Sequence, residues 1–134
     1  MKTCIITLIA ICERLRLDGR EILQKYDLEE LNSIYNGIGP DRFPEHLRDF
    51  ITSVNRLLEP PALIHDVDFH EGGTKEDFTA ANKRFRKNCY TVVKDKFGWY
   101  NPLRYHWLFK AWRFAGYCEE FGWKGYTKKE DEKK

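Results

Sequence analysis

One signal recurs along the chain and constrains its fold more than any other: a helix-capping residue or a proline, followed by apolar residues three and four positions apart. Asp18 with Glu21, and Asp27 with Glu30, have capping-box spacing and predict short helices over 19–25 and 28–34. Pro44 precedes a stripe of Leu47, Phe50, Ile51, Val54, Leu57 and Leu58, which predicts a helix over 44–58 ended by Pro60-Pro61. Pro61 can open the next helix, over 61–71, because a first helical turn leaves its N–H groups unpaired anyway. Gly72-Gly73 closes that helix. Thr74 with Asp77 caps another, running to about Lys96 with the stripe Phe78, Ala81, Phe85, Cys89, Val92 and Val93. Asn101-Pro102 opens a last one, to about Phe121. Alternating apolar and polar residues, the mark of a half-buried strand, do not recur, so the expected fold class is all-α.

At 134 residues and 42% hydrophobic content the chain suits one core. A single helical domain over 1–127 is expected, followed by a wholly charged, disordered tail over 128–134. The net charge of +2 gives no reason to expect a nucleic-acid partner. The cysteines at 4, 12, 89 and 118 include no C-x-x-C pair, so reduced thiols in a cytoplasmic chain are expected. Lys2 and the apolar run Cys4–Cys12 leave secretion open, although the run is too short to span a bilayer and Glu13-Arg14 follows where a cleavage site wants small residues. It is otherwise a buried first helix or strand. Segment 97–126 holds 12 of the 20 aromatic residues, interleaved with Arg104, Lys110, Arg113 and Lys124. Packing of a small core is the expected use of these rings, and a phospholipid or membrane surface is the alternative.

The candidate chemistry centres on His65-Asp66. Helices 61–71 and 75–96, joined by a Gly-Gly turn, should lie antiparallel. His65 stands about seven residues before the turn and Asn82 about nine after, so at a rise of 1.5 Å per residue they come out nearly level. Asn82 lies on the apolar stripe and needs a hydrogen-bond partner, and an imidazole held this way is fixed in one tautomer. Asp66 points about 100° further round the helix, toward the loop Tyr35-Asn36-Gly37-Ile38-Gly39-Pro40. A carboxylate with loop carbonyls is an oxygen-rich set that suits calcium.

These residues resemble the secreted phospholipase A2 superfamily, in which a catalytic His directly precedes a calcium-binding Asp on a helix. There a glycine-rich calcium loop beginning near a Tyr comes before it, and a second acid on an antiparallel helix orients the His. His65-Asp66-Val67-Asp68-Phe69 looks like the centre of that motif, and Tyr35 to Pro40 looks like the loop. Asn82-Lys83-Arg84-Phe85 resembles the Asp-x-x-Phe carrying the second acid in bacterial and fungal members. Short phage and prophage proteins with a Gly-Ile-Gly-Pro loop ahead of an Ile-His-Asp helix are similar as well. The resemblance implies a phospholipase A2-like antiparallel helix pair with flanking helices and a calcium-dependent hydrolase of phospholipid acyl esters. His65 and Asn82 would be its catalytic pair, and Asp66 with the carbonyls of Ile38 and Gly39 would hold Ca²⁺.

The departures bear on activity more than on fold. Pro61 and Ala62 stand where the family has paired cysteines, Asp68 replaces another, and Phe69 lacks a supporting phenol. Asn82 in place of the acid can orient His65 but cannot balance an imidazolium charge, so weak or lost activity is expected. Two other function classes compete. One is a non-catalytic phage or prophage interaction protein on the same scaffold. The other is an HD-type metal phosphohydrolase, with His46 and Asp95 filling the outer places around His65-Asp66.

Overall fold

A computed structural model describes residues 3–35, 52 and 55–127. In chain order these form α1 (Ile5–Arg14), a 3-10 turn (Arg20–Lys25), α2 (Leu28–Ile34), a 3-10 turn (Arg56–Leu58), α3 (Glu59–Glu71), α4 (Lys75–Lys96), α5 (Pro102–Phe121) and a last 3-10 turn (Gly122–Gly125). The all-α expectation holds for the described residues. The loop over 36–40, most of the expected helix over 44–58 and the tail over 128–134 lie outside them.

α3 is the axis of the molecule. Nine of its thirteen residues are buried, from Glu59 through His65 to Asp68, so it has no single apolar stripe, as a helix covered on nearly all sides should not. α1, α2, the Arg20–Lys25 turn and α4 pack around it. Leu8, Cys12, Leu17, Leu31, Leu63, Ile64, Val67, Cys89 and Val93 close the core, each almost inaccessible to solvent. Such side chains are each worth about 1.5–3 kcal/mol of burial.

Capping decides the boundaries at α2 and α4. Asp27 accepts from the Glu30 backbone while Glu30 reaches back to Asp27, and Thr74 with Asp77 makes the same reciprocal pair. The Asp18–Glu21 pair does not cap. Gly19 takes a left-handed conformation there, with φ of 83°, and Asp18 instead gives its backbone to Asn88. The result is a 3-10 turn without a side-chain cap rather than an α-helix. Pro60-Pro61 also departs from expectation, since both prolines sit inside the first turn of α3 instead of separating two helices. Their missing N–H groups fall where no intrahelical acceptor exists.

α3 and α4 run antiparallel, with Phe69 against Phe78 near the turn and His65 against Phe85 further along. Gly72 ends α3 at φ 70°, and Thr127 clamps the turn by donating to the Phe69 carbonyl and accepting from Gly73. α5 then packs along α4. Ala111 and Ala115 are its fully covered residues, and Trp107, Leu108, Phe114 and Cys118 pack partly buried against the core. Trp99, Tyr100, Tyr105, Phe109, Trp112 and Phe121 are all more than half exposed, so core packing leaves half of the twelve rings in segment 97–126 uncovered, while Phe97, Trp107 and Phe114 pack against the core and Tyr126 is buried. No helix of the described residues is long and apolar enough to cross a membrane.

Candidate functional site

Because α3 is buried on most sides, each ionisable group it carries inward needs a partner. Three such groups are present, and each has one.

His65 meets Asn82 as the turn length requires. Its Nε2 lies 2.9 Å from Asn82 Oδ1, so Nε2–H donates and the amide oxygen accepts. The remaining ring nitrogen, Nδ1, then carries the lone pair. The ring is clasped between Phe69, one turn on, at 4.2 Å and Phe85 of α4 at 4.5 Å, and the residue is only 7% exposed. Burial holds the imidazole down to a pKa of about 4, against a smaller upward pull from Asn82, so it is neutral at physiological pH. Asn82 itself is 1% exposed, and its Nδ2 has no hydrogen-bond partner among the described residues. The amide is therefore positioned by one bond, to the histidine.

Glu59, at the start of α3, is fully buried. It accepts from Tyr35 Oη at 2.8 Å, Thr3 N at 2.9 Å and Thr3 Oγ1 at 2.6 Å. Sequence reading missed this group, because an acid in a first helical turn ordinarily faces solvent. The one sequence clue is Tyr35, which is fully buried just where the glycine-rich segment begins. Burial, and then the charges of Glu59 and Asp66, push its phenol well above the ordinary range.

Asp66 is half-buried two turns beyond Glu59, on the same side of α3. Its charge also acts on Cys118 of α5, whose thiol is pushed up to about 12 by burial first and Asp66 second. Asp66 thus lies toward Tyr35 and α5, away from the imidazole. Ile38 and Gly39 lie outside the described residues. Among the described residues no group of three or more His, Cys, Asp or Glu is placed to hold a metal ion.

Asp68 falls on another side of the helix, where Arg84 Nη1 donates to it at 2.9 Å. Burial raises its carboxyl, and Arg84 opposes that shift. Arg84 also approaches Asp18 at 3.6 Å through Nε, an ion pair too long for a hydrogen bond. Asp68 is thereby committed and adds nothing to a site at Asp66. A polar hollow of about 270 Å³ opens beside Asp68 and Arg84, lined also by Glu71, Asp77 and Tyr126. His65 does not line it.

Of the two outer places of the HD reading, Asp95 alone lies among the described residues. Asp95 pairs with Arg14 at 3.5 Å, thirteen residues past Asn82 and so about 20 Å further along α4. His46 lies outside the described residues.

Chemically, the His65–Asn82 pair offers a neutral imidazole fixed through Nε2, with Nδ1 as its only basic atom. Comparison with family models, curated proteins and solved structures finds no match for the chain.

Proposed function

We propose that the chain is a slow acyl-ester hydrolase of the phospholipase A2 type, with phospholipid as substrate, His65 as general base and Asn82 as its positioning residue. The observation that carries this reading is the 2.9 Å contact between Nε2 and Oδ1, buried and level across an antiparallel helix pair. In that arrangement Nδ1 takes a proton from water as the water attacks the acyl carbon and returns it to the departing alkoxide as the ester C–O bond breaks, while the amide oxygen of Asn82 keeps the ring from rotating. Asn82 carries no charge, so the imidazolium formed in the transition state is balanced less well than beside a carboxylate. An imidazole held down to about 4 is also a feeble base. Both factors act in the direction of low turnover.

Calcium fits the donor chemistry in part. Asp66 supplies one carboxylate, and Ile38 and Gly39 would add carbonyl oxygens, whereas Glu59 and Asp68 are already committed to other partners. Bound there, Ca²⁺ would stabilise a developing oxyanion. One carboxylate implies weak affinity.

The second reading, a non-catalytic interaction protein on the same scaffold, is favoured by the seclusion of the ring between Phe69 and Phe85. Release of fatty acid from mixed micelles in millimolar calcium separates the two. The hydrolase reading expects slow turnover that His65→Ala abolishes and Asn82→Asp increases, with thermal melting showing each variant folded. If wild type and a well-folded Asn82→Asp variant are both inactive, the interaction-protein reading stands.

A further inference from the structure

The polar hollow beside Asp68 and Arg84 takes no part in the His65 chemistry. At about 270 Å³ it is close to the lower end of small-molecule sites. α3 supplies Asp68 and Glu71, α4 supplies Asp77 and Arg84, Lys25 comes from the first 3-10 turn, and Tyr126 from the segment after α5.

Tyr126 carries a group that packing does not explain. Its ring meets Phe69 at 5.1 Å and Phe78 at 5.3 Å edge-on and stacks with Trp123 at 5.8 Å, and the residue is only 4% exposed. A phenylalanine would make the same contacts. The hydroxyl itself has no hydrogen-bond partner among the described residues. Burial, then the charges of Asp77 and Asp68, push the phenol up to about 12 against a smaller pull from Arg84, which sets the hydroxyl on the carboxylate side, in the hollow.

The charges of the lining do not cancel. Lys25 is committed to Glu71 at 3.0 Å and Arg84 to Asp68 at 2.9 Å, which leaves Asp77 without a cation among the described residues. Lys75, two residues before Asp77, lies instead over the Phe78 and Trp123 rings at 4.7 and 4.3 Å. Asp18 and Glu21 deepen the negative field around Asp68 and Arg84. Acceptor capacity is left over as well. Thr74 donates twice to Asp77 Oδ2, and Arg84 donates to Asp68 Oδ2, so the Oδ1 atom of each carboxylate has no partner among the described residues.

We propose that this hollow binds a small molecule through a guanidinium group, which donates to Asp77, to Asp68 and to the Tyr126 hydroxyl. The acceptors stand on separate elements and do not converge on a point, since no three acids among the described residues are placed to hold a metal ion. A planar group with five N–H donors in a fixed fork spans such a set, whereas an ammonium is a point charge. Its single positive charge matches the one acid left without a cation.

The test is calorimetric titration of the whole chain with butylguanidinium, and with butylurea as its neutral analogue. A dissociation constant of about 1 mM or tighter is expected for the cation, with butylurea at least about tenfold weaker. Tyr126→Phe should weaken butylguanidinium about tenfold and leave the melting temperature unchanged, because the hydroxyl has no partner in the fold to lose. Asp77→Asn keeps an acceptor for Thr74 and should weaken the cation by a similar factor. No binding at about 10 mM, equal binding of the cation and the urea, or equal binding by wild type and Tyr126→Phe overturns the proposal. A lower melting temperature in Tyr126→Phe without any loss of binding assigns the hydroxyl to folding and overturns it too. Tighter binding of butylammonium overturns the planar group, and tighter binding of a capped Gly-Arg-Gly peptide overturns the small molecule in favour of a partner protein's arginine.

Discussion

Acidification should unfold the protein through His65. The free imidazole titrates near 6.5 and the buried one near 4. Below about pH 6.5 the unfolded chain therefore takes up a proton that the folded chain refuses, and the folded state loses ground as pH falls. The loss continues to about pH 4, below which both forms are protonated and this group adds nothing further. At about 1.4 kcal/mol per pH unit, the window is worth on the order of 3 kcal/mol, a sizeable share of a small domain's stability. Other groups titrate in the same range. Asp68 acts in the opposite direction, because its folded carboxyl is raised and takes up a proton before the unfolded one does. The measurement is therefore a difference: urea unfolding at intervals from pH 7 to pH 4 for wild type and for His65→Gln, which keeps a donor for Asn82 but does not titrate. Wild type should lose on the order of 3 kcal/mol more than the variant across the window. Parallel curves would refute the reasoning, since His65 would then have no depressed pKa.

Further outcomes follow from the partners of α3 and the glycines. Tyr35→Phe removes one of three donors to the buried Glu59 carboxylate and should cost about 1.5–3 kcal/mol in urea unfolding. Gly116→Ala places a methyl group in open space inside a helix, so it should raise stability by up to about 1 kcal/mol, read as a higher melting temperature. Gly72→Ala should do the opposite, by more than about 1 kcal/mol, because φ is 70° and the new Cβ would run into the Thr127 backbone.

The parts legible in the sequence are those whose determinants are local. Thr74–Asp77, Asp27–Glu30 and Asn101-Pro102 mark real helix starts because a cap is satisfied within four residues. His65 and Asn82 could be paired in advance because a short turn and a fixed helical rise leave little freedom in register. Asp18–Glu21 has the same spacing as the true caps, yet Asn88, seventy residues away, takes the Asp18 backbone. Glu59 and Asp68 were illegible for a related reason. Their burial depends on Thr3, Tyr35 and Arg84 arriving from elsewhere in the chain. The aromatic residues of α5 were legible only in part: Trp107 and Phe114 pack against the core, whereas Tyr105, Phe109, Trp112 and Phe121 are exposed, and composition counts rings without telling which side of a helix is covered.

The reading of His65 as a base rests on one proton: Nε2 must carry it toward Asn82, leaving Nδ1 free. Long-range nitrogen–proton correlation spectra of histidine-labelled protein at neutral pH report that proton. A neutral ring with hydrogen on Nε2, lost as a signature of the pair in Asn82→Leu, is the predicted result. An imidazolium, or a neutral ring protonated on Nδ1, would contradict it.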